Sequence, residues 1–378
     1  EIIEASPDRI EAKCVVYGIC GGCSLQHLSS ENQIIAKQSW LQSAFIGQAK
    51  TEPKNWLEPM QVQSWGYRRR ARLGVRYVAK KEKVLVGFRE RKSSFITVMS
   101  RCEVLHPSLG DNLEIIADCI GKLSIREHIP QIEAAISESH TILILRHLQP
   151  LTEVDEATLK ECGEKLSITW YTQSGGLDTI KPLIEAVTLT YSIPDHKIEM
   201  EFLPNDFTQV NFALNQKMIN LAIGLLELND QDSVLDLFCG LGNFTLPISK
   251  YVEKIVGIEG DKGLVERAKA NADANGITNA SFYKADLSED VSGSEWFRGQ
   301  KYNKALIDPA RTGAIEIVEL LPKLNIERLV YVSCNPSTLA RDTARLIELG
   351  FTLVSAGVMD MFPQTAHVES IALFTRKK

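Results

Sequence analysis

From residue 207 onward, short apolar runs and helix-length segments take turns along the chain. SVLDLF, KIVGIE, ASFYKA, KALIDP, RLVYVS, FTLVSA and SIALFT are seven runs of strand length, most of them separated by enough residues for a helix. This alternation admits few folds. Parallel strands need crossover connections, and helices on both faces leave the strands apolar throughout rather than alternating. The expected architecture is therefore α/β: a Rossmann-like, mostly parallel, doubly wound sheet. VMDMFPQTAHVES joins the last two runs without a helical pattern, which predicts that they pair antiparallel.

The chain of 378 residues is long enough for two or three domains. Upstream of the alternating region the pattern is α+β. A basic hairpin is followed by DNLEIIADCIGKLS as a helix, TILILRHL as a strand and EVDEATLKECGEKL as a helix. Before it, SSENQIIAKQSWLQSAFIG has helical periodicity behind a Ser-Glu start. The acidic, proline-bearing stretch near Pro194 and Pro204 is the expected boundary, giving a central domain over 14–206 and an α/β domain over 207–378. No apolar run approaches the roughly 18 residues of a membrane span, and the polar, acidic opening is unlike a secretion signal. Eight cysteines without such a signal fit a reducing compartment, so a cytoplasmic location is expected.

The first alternating strand ends in DLFCGLGNFTLPI, with Gly240 and Gly242 where strand turns into helix. Glycines there let a backbone approach a ligand beside the free N–H groups of a helix start. Glu259 closes the next strand, 17 residues after Gly242, where a carboxylate can take a ribose hydroxyl pair. Asp286 ends the third strand, in reach of an adenine edge. A dinucleotide site reads G-x-G-x-x-G/A, but Thr245 stands at the third position and the acidic Asp236 would repel a pyrophosphate. A cofactor with a positive centre and no phosphate suits these carboxylates better. S-adenosylmethionine is such a cofactor.

RLVYVSCNP places Cys334 just past the fifth strand, at the carboxyl edge that faces the ligand crevice. Asn335-Pro336 stops the strand and keeps the thiol at the mouth. Glu369 opens the last strand on the same edge, with His367 as a competing base, and Asp308-Pro309 ends strand four. Cys239, inside the glycine loop, is expected only to pack. A thiol, a carboxylate and a methyl donor suit one reaction. The C5 carbon of uracil is a poor nucleophile until a thiolate adds at C6; the resulting enolate can take the methyl group, and a base then removes the C5 proton.

Net charge is −6, but from Arg68 to Arg101 twelve Lys and Arg stand against two Glu. The run opens with WGYRRRARLGVRY and continues through GFRERK, with Trp65, Tyr67, Tyr77 and Phe88 among the charges. A solvated basic face and a phosphate-tracking RNA surface both fit. Just upstream, CVVYGICGGC sets Cys14, Cys20 and Cys23 one ligand short of a four-thiolate site. Cys102, at the end of the basic hairpin, is the expected fourth, because Cys119 and Cys162 fall in helical patterns. Such a set holds zinc or a [4Fe–4S] cluster, and the spacing leaves both open.

With these residues on the page, the chain resembles the RNA 5-methyluridine methyltransferases, of the type that modifies 23S ribosomal RNA. The resemblance runs from Cys14 to the C-terminus through C-x5-C-G-G-C, GYRRRARL, DFTQVN with NQKM, DLFCGLGNFTLP, DPAR, YVSCNP and DMFPQTAHVES. Relatives acting at another 23S site look more like N-P-P-R-R-G at the DPAR position, and transfer-RNA members lack the cysteine cluster. The resemblance implies Cys334 as nucleophile and Glu369 as base. Gln209, Phe238, Gly240, Gly242, Asn243, Glu259, Asp286 and Asp308 would line the S-adenosylmethionine and uracil sites. It implies a [4Fe–4S] cluster on Cys14, Cys20, Cys23 and Cys102. RNA contacts would fall on Arg68, Arg69, Arg70, Arg72, Arg89, Arg91 and Phe207, with Asn211 a further family position. It also implies 23S rRNA as partner, a monomer, and a small N-terminal RNA-binding barrel of which residues 1–13 would be the stub. Alternatives are action on another 23S site or on tRNA, an iron–sulfur oxidoreductase with a nucleotide cofactor, and an RNA-binding assembly factor with a vestigial cofactor site.

Overall fold

The structure, a computed structural model, describes residues 2–377. The N-terminal half contributes helix α1 (Ser30–Ala44) and strands β1 (Asn55–Trp56), β2 (Arg70–Val78) and β3 (Lys83–Gly87). Helices α2 (Pro107–Gly110) and α3 (Leu113–Gly121), strands β4 (Gln131–Ile136) and β5 (Thr141–Arg146), and helix α4 (Glu153–Leu166) follow. Strands β6 (Ile168–Gln173), β7 (Lys181–Pro182), β8 (Leu189–Ile193) and β9 (Ile198–Phe202) complete that half. Strands β2 to β7 form a six-stranded sheet in the order β3-β2-β4-β5-β6-β7, with α3 packed on β3 and α4 on β6. The first part of the basic run, to Gly87, is the antiparallel β2–β3 hairpin, as its pattern predicts, and Arg89 and Arg91 lie beyond β3 in a turn closed by the Arg89–Ile96 bridge. Helix α4 starts at a capping box: Thr152 Oγ1 accepts from the Asp155 N–H at 3.2 Å, and Asp155 Oδ2 accepts from the Thr152 N–H at 2.9 Å.

In the C-terminal half, helix α5 (Phe212–Leu226) precedes strand β10 (Ser233–Leu237), helix α6 (Thr245–Ser249), strand β11 (Lys254–Glu259), helix α7 (Lys262–Ala274) and strand β12 (Ala280–Lys284). Strand β13 (Lys304–Ile307), helix α8 (Ile315–Val318), strand β14 (Arg328–Ser333), helix α9 (Pro336–Glu348) and strands β15 (Phe351–Met359) and β16 (Glu369–Arg376) follow. The sheet order is β1-β15-β16-β14-β13-β10-β11-β12, with β16 antiparallel to both neighbours and the other pairs parallel. All seven apolar runs are strands of this sheet. Along β14, Leu329 and Tyr331 enter one apolar cluster while Val330 and Val332 enter another, so both faces are buried. That burial is why the strands read as unbroken apolar runs.

Two segments depart from the linear division of the sequence. Helix α1 and strand β1 precede the basic hairpin, yet α1 packs on α9 and β15, and β1 adds to the free edge of β15. The buried side of α1 mixes Ile34 and Leu41 with Gln33 and Lys37, so its pattern does not announce its partner. The stretch at Pro194 is no linker: it turns the β8–β9 hairpin, which lies against α7. There the Asn271 amide exchanges hydrogen bonds with the Glu201 backbone at 2.9 and 3.0 Å, and Asn275 does the same with Glu199 at 2.9 and 2.8 Å.

Candidate active site

The loop after β10 turns through three left-handed residues, Phe238 (φ 66°), Gly240 (φ 54°) and Gly242 (φ 91°). A Cβ on Gly242 would stand 2.3 Å from Leu246 Cδ1 in the helix that follows, so a side chain there would displace Leu246 as well as strain φ. A Cβ on Gly240 would meet nothing within 4 Å, so the loop is open on that side. The Gly240 N–H donates to Glu259 Oε2 at 3.1 Å, tying the loop to the end of β11. Asp236 is fully buried; its Oδ2 accepts from Thr245 Oγ1 at 2.5 Å, while its Oδ1 has no hydrogen-bond partner among the described residues. Burial raises Asp236 to about 7, and Asp308 and Glu259 push the same way. Asp308 is also raised to about 7 by burial. Three carboxylates thus share one neighbourhood, two of them resisting ionisation, beside a loop with room for a ligand. That environment favours a cationic group, so the residues fit a sulfonium cofactor.

The remaining sequence-predicted cofactor residues differ in their surroundings. Asn243 makes a reciprocal amide pair with Asn215 (2.8 and 2.9 Å) and accepts from Tyr191 Oη at 3.0 Å. Asp286 is exposed and accepts from the Ser288 N–H and hydroxyl at 3.0 and 2.6 Å. Gln209 is half-buried, and Asn211 caps α5 by accepting from the Leu214 N–H at 3.3 Å.

Cys334 and Glu369 are brought together by strand register. Ser333 of β14 pairs with Ser370 of β16, so one step further the antiparallel ladder sets Cys334 opposite Glu369. The Ser370 hydroxyl donates to the Ser333 carbonyl at 3.1 Å and pins that register. Cys334 is part-exposed, whereas Glu369 is buried. Burial lifts the thiol to about 11, with the Glu369 and Asp308 carboxylates adding to the rise and the Arg311 guanidinium opposing it. Burial, and then Asp308, also hold the Glu369 carboxyl well above the ordinary range. Asn335 caps α9 by accepting from the Ser337 N–H at 3.1 Å, and its Nδ2 donates to the Arg311 carbonyl at 3.0 Å. This latches the DPAR segment to the cysteine turn. Arg311, whose motif was visible but whose side chain the sequence did not single out, acts on both Cys334 and His367. His367 is exposed beside the Phe362 ring (centroids 5.4 Å apart), and Cys239 is simply buried, as expected.

Away from this crevice, Cys14, Cys20, Cys23 and Cys102 line one small cavity with Phe88 and Met99, and all four are unpaired. Burial raises Cys14, Cys23 (to about 12) and Cys102 (to about 11), and the cysteines raise one another further. The Gly22 N–H donates to Cys20 Sγ at 3.4 Å. Gly21 donates to the Arg89 carbonyl at 2.8 Å, where a Cβ would stand 3.0 Å from that oxygen. The loop therefore docks on the turn that follows β3, with the Arg91 N–H donating to the Ile19 carbonyl at 2.7 Å. Among the described residues, no three His, Cys, Asp or Glu side chains close into a metal cage. Four thiols around one cavity, cradled by glycines, nevertheless form a donor set suited to a soft metal centre.

The arginines divide. Arg69 Nη1 donates to the Ser137 carbonyl at 2.6 Å and stacks 4.9 Å from the Phe212 ring centroid; Arg70 Nη2 donates to the Pro204 carbonyl at 3.1 Å. Arg68 Nε donates to the Arg70 carbonyl at 3.0 Å, and Arg72 pairs with Glu133 at 2.9 Å. Only Arg89 and Arg91 of the named set stand exposed without a polar side-chain partner among the described residues, Arg91 lying 5.8 Å from the Tyr17 ring. Tyr67 is buried, whereas Phe95, not singled out from sequence, is 72 % exposed in the turn after β3; Phe207 is 68 % exposed.

Comparison with known proteins agrees with this geometry. A match to the family described as tRNA (uracil-5-)-methyltransferase spans residues 31–377. A relative from Vesicomyosocius okutanii, named 23S rRNA (uracil(1939)-C(5))-methyltransferase, is 66 % identical over all of this chain and 86 % of its own length. One of the same name from Stenotrophomonas maltophilia is 47 % identical over all of this chain and 85 % of its own. The Pyrococcus abyssi tRNA (uracil-54, C5)-methyltransferase structure superposes with a TM-score of 0.73 at 20 % identity, covering 99 % of this chain and 88 % of that one. The fold is that of the class I methyltransferases.

Proposed function

This chain belongs to the tRNA (uracil-5-)-methyltransferase family and is an S-adenosylmethionine-dependent RNA uracil-C5 methyltransferase; we propose that its target is the 23S rRNA uridine for which its relatives are named. Family membership sets aside the oxidoreductase and assembly-factor readings. The observation that carries the mechanism is the facing pair of Cys334 and Glu369 at the carboxyl edge of the sheet, beside the carboxylate-lined glycine loop. Bound S-adenosylmethionine supplies an electrophilic methyl group, and Asp236, Gly240, Glu259 and Asp308 would hold it. The target base leaves its stack to enter, because neither C5 nor C6 is open to attack within one. The Cys334 sulfur bonds to C6, with Arg311 favouring its thiolate form, and the C5=C6 electrons move into the ring as an enolate. C5 takes the methyl group. The Glu369 carboxylate then takes the C5 proton, and the electrons of that C–H bond re-form C5=C6 as the Cys334 sulfur leaves. A carboxyl group with a raised pKa is the stronger base for a carbon-bound proton.

The test is 5-methyluridine in a 23S rRNA fragment carrying the target, read by mass spectrometry of nucleosides. Cys334→Ala should bind the RNA and transfer no methyl group; retained turnover would sink the covalent route. A tRNA substrate methylated in preference to the rRNA fragment would overturn the choice of target.

Cys14, Cys20, Cys23 and Cys102 are proposed to hold a [4Fe–4S] cluster. The all-sulfur donor set, the cavity they share and the N–H donated to Cys20 support this, and structural zinc is the alternative. The methyl transfer needs no electron from it. Its place between the N-terminal loop and the hairpin suits a clasp for the RNA-binding region, in a central domain running from Cys14 to about residue 206. Anaerobically purified protein should be brown and contain about four irons per chain by the cluster's composition; a colourless chain with one zinc would overturn the assignment. One chain carries every residue of this chemistry, so a monomer suffices. Eight unpaired cysteines suit the cytoplasm.

A further inference from the structure

The nine residues between Met359 and Glu369 carry the proposed base into place, yet they lie outside the strands of the sheet. Their polar groups are satisfied largely from the N-terminal segment, more than 300 positions earlier in the chain. Lys37 Nζ donates to Asp360 Oδ1 at 2.6 Å and to the Phe362 carbonyl at 3.1 Å, with the Lys37 and Asp360 side chains 0 % and 1 % exposed. Gln33 and Gln364 form a two-way pair: Gln33 Nε2 donates to Gln364 Oε1, and the Gln364 N–H donates to Gln33 Oε1, both at 2.9 Å. Gln364 itself is left-handed at φ 70°, a conformation a non-glycine residue holds only when its surroundings fix it. The Gln364 carbonyl accepts from the Ser24 and Leu25 N–H groups at 2.9 and 3.0 Å, and the Ala366 N–H donates to Ser24 Oγ at 2.9 Å.

Gln33 and Lys37 are one helical turn apart on α1, while Ile34 and Leu41 anchor that helix in the apolar cluster shared with β15 and α9. A buried lysine–aspartate pair is a poor source of net stability, because desolvation offsets the attraction, but it has one good geometry. Here that geometry fixes the loop that ends at Glu369. We propose that Gln33 and Lys37 are positioning residues: through Gln364 and Asp360 they set the place of the Glu369 carboxylate relative to C5 of the adduct. The proposal rests on the reading of Glu369 as the proton-removing base. A displacement of about 1 Å at a reacting group costs on the order of 100-fold in rate, so loosening the loop should slow proton removal.

Gln33→Ala and the paired change Lys37→Met with Asp360→Leu test this, the pair avoiding a buried charge left alone. Each folded variant is mixed with rRNA fragment and S-adenosylmethionine, and three quantities are followed: product release, heat-stable protein–RNA adduct on denaturing gels, and amide hydrogen exchange across residues 360–369. The expected result is RNA and cofactor affinity close to wild type, release slower by about 10- to 100-fold, accumulated adduct, and faster exchange confined to that loop. Wild-type release and exchange in either variant would overturn the proposal. So would slower turnover without adduct, which a merely structural role would give. Wild-type protein forming no 5-methyluridine would sink the enzymatic reading instead, while loop exchange still reports whether α1 holds the loop.

Discussion

Cys334 must be a thiolate to add to a pyrimidine, yet its surroundings oppose ionisation. Burial lifts it to about 11, Glu369 and Asp308 push it further, and Arg311 and a backbone hydrogen bond pull it down. The thiolate fraction in the free enzyme should therefore climb about tenfold per pH unit from neutrality until the pH nears that value. Alkylation of Cys334 by iodoacetamide, followed by peptide mass spectrometry, should show this slope; a plateau below pH 9 would contradict it. The sign of the Glu369 contribution gives a sharper test. Glu369→Gln removes a carboxyl whose ionised form raises the thiol, so at alkaline pH, where that carboxyl is ionised, it should speed alkylation, while trapping the methylated RNA adduct. Slower alkylation, or ordinary product release, would count against the pairing. Cys334 and Glu369 were legible because strand-end position follows from the apolar pattern alone. Asn243 was not: its motif places it in the loop, but only the fold reveals that Asn215 and Tyr191 occupy its amide.

The strand–loop–helix unit at β10 and α6 makes a prediction in which two neighbouring glycines behave differently. Both Gly240 and Gly242 are left-handed, so alanine at either costs about 1–2 kcal/mol in backbone strain. At Gly242 the added carbon also meets Leu246 Cδ1 at 2.3 Å, whereas at Gly240 it meets open space. Calorimetric titration with S-adenosylmethionine should therefore show the stronger structural damage, with lower melting temperature and weaker binding, for Gly242→Ala. For Gly240→Ala the fold should hold better, and any loss should lie in the binding itself. Equal melting temperatures would show that Leu246 yields easily. Seven strands of this sheet follow from runs of apolar residues, and the antiparallel last pair from the missing helix between them. Strand β1 could not be read, since two residues carry no period. Lys37 offered one signal that went unread: a lysine on the stripe with Gln33, Ile34 and Leu41 is either misplaced or paired.

Charge belongs to the whole molecule, and here its distribution matters more than its sum. A chain of net charge −6 binds RNA only if its cations are gathered and free. The sequence shows them gathered on one hairpin, but packing decides which are free, and no count of arginines contains that information. Arg69 and Arg70 give their donors to the carbonyls of Ser137 and Pro204 and lock β2 to its neighbours. Arg89 and Arg91, in the turn after β3 where the cysteine loop docks, face solvent. These two groups should separate in one measurement of RNA affinity against salt. Arg89→Ala and Arg91→Ala should each weaken binding and reduce the slope of log K against log salt by about 0.7–1, the value for one lost phosphate contact. Arg69→Ala should leave the slope unchanged and instead lower stability by about 1–3 kcal/mol, because a charge-assisted hydrogen bond is lost from a packed strand. Should Arg69→Ala reduce the slope while the melting temperature stays fixed, the phosphate-tracking surface would lie on the β2 face rather than at the turn after β3. The cysteine clasp would then be holding a segment away from the RNA.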